Sequence, residues 1–99
     1  MRVRYTLPAF ADLVDILDYL ALRSPQTARR VQTRVSSVLD LLRVHPFVGM
    51  RTDDPTIRRL VVTPYPYFVF YEVTKDKIVI HNLRHSARDP SMMPGSERP

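Results

Sequence analysis

The residues of this chain best suited to chemistry follow its last apolar run. Residues 78–83 have the composition of a buried strand, and Arg84, His85 and Arg88 come directly after them. Cationic and polar groups beside a core are unfavourable unless they have partners. A strand end also holds side chains more precisely than a loop does. We therefore predict that these groups meet an anion, such as a phosphate or a partner's carboxylate.

The same strand carries His81 and His85, which raises the question of a metal site. Residues four apart on a strand lie about 13 Å from each other, so the two imidazoles cannot share one ion without a bulge. The chain has 0 Cys, which excludes a disulfide framework, a thiol nucleophile and a zinc-finger pattern. We expect no metal and no cofactor.

Composition narrows the choice of partners. The 99 residues suffice for one small domain, and the net charge is +5 with Arg outnumbering Lys thirteen to two. A basic surface favours anionic partners, either nucleic acid or an acidic protein. The chain opens without a signal-like apolar segment, and no apolar run approaches the roughly 18 residues that span a bilayer. We expect a cytoplasmic protein with no membrane partner.

Two amphipathic helices are predicted after a short strand at residues 2–5. Thr6 can cap the first helix, with Pro8 in its first turn, and Ser24-Pro25 is a second start signal. The second helix should end near His45-Pro46. A link of a few residues makes the pair an antiparallel hairpin. The apolar face of the first helix comprises Phe10, Leu13, Ile16, Leu17, Leu20 and Ala21, and that of the second Ala28, Val31, Val35, Val38, Leu39 and Leu42. Off these faces lie a solvated acidic stripe of Asp12, Asp15 and Asp18 and a basic stripe of Arg29, Arg30 and Arg34.

The C-terminal half of the sequence predicts a loop followed by a sheet. Residues 46–56 hold turn-forming residues, and residues 57–63, 67–73 and 78–83 are rich in Val, Ile, Tyr and Phe. Short connections imply antiparallel pairing. The predicted fold is α+β, with two layers: the helical hairpin packs on one face of an antiparallel sheet in the order β-α-α-β-β-β. The neighbours Arg58 and Arg59 must face opposite sides.

Several segments together resemble one family. They are, in order, Ala9-x-x-Asp12-Leu13-x-x-Ile16-x-x-Tyr19-Leu20, Ser24-Pro25-x-x-Ala28, Leu42-x-x-x-Pro46-x-x-Gly49, Arg58-Arg59-Leu60-Val61-Val62, Pro66-Tyr67-x-x-x-Tyr71 and His85-x-Ala87-Arg88-Asp89-Pro90. The chain resembles the RelE/ParE superfamily of bacterial toxin–antitoxin toxins, closer to its ParE-like members, over residues 3–90. We expect a single toxin domain at residues 1–90 and a flexible tail at residues 91–99.

The resemblance implies a toxin that blocks growth until a cognate antitoxin neutralises it. Such antitoxins wrap an otherwise disordered C-terminal segment around the toxin, which gives a toxin–antitoxin hetero-oligomer. The predicted partner-binding residues are Arg29, Arg30, Arg34, Arg59 and Arg84. The first three would meet antitoxin acids, although a solvated helix face is the plain alternative.

The resemblance also offers two activities. RelE-like members cut mRNA on the ribosome, and ParE-like members poison DNA gyrase. RNA cleavage needs an acid, a base and cations for the phosphate, and the candidates are Arg58, Tyr71, His85 and Arg88. RelE-like nucleases resemble one another in a catalytic Tyr near the C-terminus and a lysine-rich patch. This chain has no Tyr after Tyr71, and its two Lys lie in a turn.

We therefore predict a gyrase-binding toxin rather than an enzyme. The alternatives are a metal-independent, ribosome-dependent endoribonuclease and an inactive or basic binding module.

Overall fold

The computed structural model describes residues 1–88. The chain runs through β1 (Arg2–Tyr5), α1 (Leu7–Arg23), α2 (Pro25–Val44), β2 (Met50–Arg51), β3 (Arg58–Val61), β4 (Tyr67–Val73), β5 (Lys77–His85) and a final 3₁₀ turn (Ser86–Arg88). The end of the predicted domain and the predicted tail at residues 91–99 lie outside the described residues.

Side chains next to each helix fix where it begins. The Thr6 hydroxyl accepts the Ala9 N–H at 3.1 Å, and the Ser24 hydroxyl accepts the Thr27 N–H at 3.2 Å. The Ser24 N–H also donates to the Leu20 carbonyl at 2.7 Å. One residue thus ends α1 and caps α2, so the chain reverses within a single residue. The predicted helix starts are confirmed.

The sheet has five strands in the order β1-β5-β4-β3-β2. The β3–β4 and β4–β5 pairings are antiparallel, as predicted, and β2 also pairs antiparallel to β3. β1, however, pairs parallel to β5, with Arg2 opposite Lys77 and Tyr5 opposite Ile80, so the sheet is mixed. A parallel pair needs a long crossover, which the helical hairpin and the intervening strands supply. The expected loop at residues 46–56 also contains the two-residue strand β2.

The two helices are buried to different degrees. The six predicted apolar positions of α2 are all buried, whereas Ala9 is the buried residue of α1. The side chains of Leu7 and Leu22 are 86% and 89% exposed, and Phe10, predicted on the apolar face, is more than half exposed. The predicted two-layer α+β fold is confirmed, but α1 leaves much of its apolar surface uncovered.

None of the helices in residues 1–88 combines the length and apolarity needed to cross a membrane.

Candidate functional sites

Arg58 and Tyr71, two of the candidate catalytic residues, hold the loop between α2 and β2. They lie directly opposite each other on β3 and β4. The buried Tyr71 hydroxyl accepts the Gly49 N–H at 2.8 Å. Burial raises the pKa of Tyr71, and the Gly49 N–H and the Arg58 charge oppose that rise. The phenol therefore stays protonated at neutral pH and serves as a hydrogen-bond partner.

The Arg58 guanidinium completes this anchor. Its Nη1 donates to the carbonyls of Phe47 and Gly49, at 3.2 and 2.8 Å, and its Cζ lies 5.2 Å from the centroid of the Phe47 ring. Two carbonyl contacts through Nη1 and an aromatic contact give a structural role to the group that was predicted to stabilise a phosphate. We call Arg58, Tyr71 and the loop residues they hold, Phe47 and Gly49, the loop anchor.

Gly49 is required by the closeness of this packing. A Cβ atom at Gly49 would lie 2.6 Å from the Tyr71 hydroxyl oxygen and 2.9 Å from the Arg59 carbonyl. Both separations are shorter than van der Waals contact. The loop anchor therefore requires glycine, which has no side chain, at position 49.

His85 lies at the other end of β4. It is opposite Tyr67, with the two rings edge to face at 5.4 Å between centroids. Its Nδ1 accepts the Ala87 N–H at 3.1 Å, so in the neutral ring Nε2 carries the proton. Tyr67 and Tyr71 are four strand positions apart, which separates His85 from the loop anchor by about 13 Å. Arg88 ends the described part of the chain, in the 3₁₀ turn.

His81 also lies apart from His85. Phe70 pairs with Asn82 and Tyr71 with Ile80, so His81 is the extra residue of a β-bulge. Its Nε2 lies 2.9 Å from the Glu72 carboxylate, while the His85 ring packs on Tyr67. Within residues 1–88, no three His, Asp or Glu side chains form a group able to hold a metal ion.

A cavity of about 290 Å³ lies between α1 and the end of β5. Asp12 and Asp15 line it from the helix, and Leu83, Arg84 and His85 from the strand. The Asp12 carboxylate accepts the Leu83 N–H at 3.0 Å, at the edge of β5 beyond the reach of β1. Asp12 is therefore half-buried and structural, which corrects its assignment to a solvated stripe.

The predicted partner-binding arginines fall on two surfaces. Arg29, Arg30 and Arg34 come together along a groove of about 520 Å³ between α2 and the β3–β4 turn. Arg59 and Arg84 instead belong to the sheet: Arg59 lies on its face away from the helices, and Arg84, at the end of β5, also lines the cavity beside α1. The Arg59 guanidinium is 4.7 Å from the Phe68 ring centroid, and Arg84 is opposite Phe68 on β5. Arg58 and Arg59 thus face opposite sides, as predicted.

Comparison with known proteins identifies the family. Residues 3–90 match the family described as the ParE toxin of the type II toxin–antitoxin system, parDE. The chain belongs to the ParE toxin family. This protein is therefore the toxin component of a type II toxin–antitoxin system. Its predicted membership of the RelE/ParE superfamily is confirmed.

Two relatives and one solved structure are similar along most of their length. Toxin RelE2 of Caulobacter vibrioides is 39% identical over 87 residues, covering 88% of this chain and 97% of that protein. The putative toxin Y4kP of Sinorhizobium fredii is 32% identical over 92 residues, covering 93% and 96%. The chromosomal ParDE TA system from P. aeruginosa has a TM-score of 0.74 and 24% identity, covering 86% of this chain and 95% of that one. This last likeness supports the fold.

Neither the loop anchor nor the contact between Asp12 and Leu83 was predicted from the sequence of this ParE-family chain, because both join residues that are distant in sequence. Gly49 and Tyr71 are 22 positions apart, and Asp12 and Leu83 are 71 apart. The one local signal was the Pro46-x-x-Gly49 spacing, which indicated a loop and contributed to the family resemblance but gave no partner for Gly49.

Proposed function

We propose that this ParE-family toxin inhibits growth by binding DNA gyrase and not by cleaving RNA. The observation that carries the proposal is the separation of the candidate catalytic groups. General acid–base catalysis needs its groups within hydrogen-bond reach of one reacting phosphate. Arg58 and Tyr71 are engaged in the loop anchor, and His85 lies about 13 Å away along β4. Gyrase binding is the activity of the ParE-like side of the superfamily.

We further propose that a cognate antitoxin covers the outward side of α1. This helix exposes large apolar side chains, at Leu7, Phe10, Val14, Tyr19 and Leu22. Exposed apolar surface of this kind marks a protein-binding site. An amphipathic segment of the antitoxin would bury it and form the hetero-oligomer. Co-expression of both chains should restore growth, and the two should co-purify.

A second candidate function, mRNA cleavage on the ribosome, has one observation in its favour. The relative at 39% identity is named Toxin RelE2, after the RelE side of the superfamily. In this case His85 would act as general acid or base, with Arg88 at the phosphate.

One set of experiments separates these functions. The chain is expressed alone in a bacterium, cellular mRNA is mapped within minutes of induction, and the purified protein is assayed for inhibition of supercoiling by gyrase. The proposal expects growth arrest, lost supercoiling and intact mRNA. Arrest with normal supercoiling and cut mRNA would overturn it in favour of the endoribonuclease, and an absence of arrest would favour the inactive or basic binding module.

His85→Ala is the informative variant. The His85 ring is at the sheet end, where it makes one backbone contact and one edge contact with Tyr67, so its removal should lower the stability without abolishing the fold. Under the gyrase proposal, His85→Ala keeps both growth arrest and inhibition of supercoiling. Under the endoribonuclease function, the same variant loses mRNA cleavage while its circular dichroism spectrum is unchanged.

A further inference from the structure

The groove along α2 gathers three arginines on one surface. It runs beside α2 from Gln26 to Ser37, a distance of about 16 Å at the rise of an α-helix. We call it the arginine groove, and its lining residues are Gln26, Arg29, Arg30, Thr33, Arg34, Ser37, Pro64 and Tyr65. None of these is acidic.

The arginines of this groove are not neutralised within residues 1–88. The ion pairs there join Arg43 to Asp40, Lys77 to Asp76 and His81 to Glu72, and none of them involves the groove. The Arg34 Nε donates to the Thr63 carbonyl, which fixes the guanidinium and leaves its two terminal nitrogens for a ligand. Arg29 and Arg30 are exposed beside it.

The residues that line the arginine groove are of the types that bind the phosphate groups of a nucleic-acid backbone. Phosphate oxygens are bound in proteins by Arg and Lys together with Ser, Thr, Gln and Tyr side chains. Here Gln26, Thr33 and Ser37 alternate with the arginines along one helix face. Arg also forms paired hydrogen bonds to phosphate.

A polypeptide partner would find more apolar contact on a different surface. Large side chains that fill pockets are the main anchors of protein interfaces. The arginine groove offers only Pro64 and the half-buried Tyr65, whereas the outward side of α1 offers a row of exposed apolar side chains. The two surfaces are therefore suited to different classes of macromolecule.

We propose that the arginine groove binds the sugar–phosphate backbone of a nucleic acid, through Arg29, Arg30 and Arg34. This goes beyond the proposed function, because it does not depend on which cellular target the toxin inhibits. It also gives these three arginines a different partner from the antitoxin acids expected from the sequence.

Salt dependence provides the test. Binding of the full chain to a fluorescent 20-base-pair DNA duplex is measured by anisotropy between 50 and 200 mM KCl. Three phosphate contacts predict a slope of about −2.7 in log K against log[salt], which is a loss of about 40-fold over this range. Single-stranded RNA in place of DNA should give a slope of about −2, and the tighter of the two probes identifies the natural source of the backbone.

Matched substitutions locate the site. Arg29→Gln and Arg30→Gln each remove one charge from an exposed position, and each should reduce the size of the slope by about 0.9; the double variant should lose only about 4-fold over the same range. Arg43→Gln is the control, since it removes the same charge from the same helix outside the groove. Its slope should equal that of the unmodified chain.

Two results would overturn the proposal. One is a slope that the double variant leaves unchanged, or that Arg43→Gln reduces equally, because binding would then depend only on net charge. The other result concerns polyglutamate, added at the same concentration of charge as the duplex. The proposal fails if polyglutamate displaces the duplex from the unmodified chain and no longer binds to the double variant. That outcome would assign the groove to an acidic polypeptide.

Discussion

Tyr71→Phe removes one hydrogen-bond acceptor from the interior and leaves the shape of the ring unchanged. Tyr71 is fully buried, and its hydroxyl accepts the N–H of the buried Gly49 at 2.8 Å. In the variant, the Gly49 N–H keeps its dipole but loses its partner. Water does not reach a site this enclosed, so the desolvation of that group is not recovered.

The size of the effect follows from this geometry. A buried donor without a partner costs about 1–3 kcal/mol. For a domain of this size each kcal/mol lowers Tm by about 4–8 °C, so a loss of ~2 kcal/mol lowers Tm by about 8–16 °C. The urea midpoint should fall by about 1 M, with an unchanged slope m. Growth arrest by the variant should persist below its Tm, because this hydroxyl has a structural role.

The assay is urea unfolding followed by circular dichroism, with Tyr19→Phe as the control. Tyr19 is half exposed, and the Arg23 guanidinium lies 5.1 Å from its ring, a contact that phenylalanine preserves. This control should change the free energy of unfolding by less than about 0.5 kcal/mol. Equal stability of the Tyr71→Phe variant and the unmodified chain would refute the reasoning, since Gly49 would then not depend on the phenol. Loss of growth arrest with unchanged stability would instead favour a catalytic Tyr71.

Further predictions concern the same anchor and the edge of β5. Gly49→Ala should destabilise by about 1–3 kcal/mol, because its Cβ would lie 2.6 Å from the Tyr71 oxygen; urea unfolding measures this, and an unchanged midpoint would contradict it. Arg58→Lys cannot reproduce both carbonyl contacts together with the aromatic contact, so amide hydrogen exchange in the loop should quicken, and an unaltered rate would rule against the anchor. Asp12→Ala should cost about 1–3 kcal/mol by leaving the Leu83 N–H without its acceptor, while Asp12→Asn, which retains an acceptor, should cost less; equal losses would contradict this role. Burial raises the pKa of Tyr71 above 10.0, so the folded state keeps a proton that the unfolded chain releases. Its contribution to stability is therefore complete below about pH 10 and declines as the pH rises through the folded value, and Tyr71→Phe should flatten that alkaline decline in unfolding titrations.

The two proposed partners, an antitoxin and a nucleic acid, are assigned to different exposed surfaces. α2 supplies most of the helical contribution to the core, while α1 lies partly uncovered. The outward side of α1 combines exposed apolar side chains with the exposed carboxylates Asp15 and Asp18, whereas the arginine groove is cationic. On our proposals, antitoxin binding and nucleic-acid binding therefore use separate faces and need not exclude each other. Competition between purified antitoxin and the DNA duplex would measure whether they do.

Much of the fold was determined by contacts between near neighbours in the sequence. Thr6 and Ser24 cap helices through N–H groups three residues away, so these boundaries could be read directly. The apolar spacing of α2 predicted all six of its buried residues, because the helical period alone decides which side chains share a face. The alternation of strand side chains likewise placed Arg58 and Arg59 on opposite faces.

Only the tertiary structure decided the direction of β1 and the roles of the polar residues. A four-residue strand carries no local signal for parallel pairing, and its partner lies more than 70 positions away. The sequence placed Asp12 on a solvated stripe, whereas in the structure its carboxylate accepts the Leu83 N–H at the free edge of β5. Arg58, Tyr71 and His85 looked like parts of one site because their chemistry suits one. Their distances depend on strand register, which set Arg58 opposite Tyr71 and His85 opposite Tyr67, four positions apart on β4.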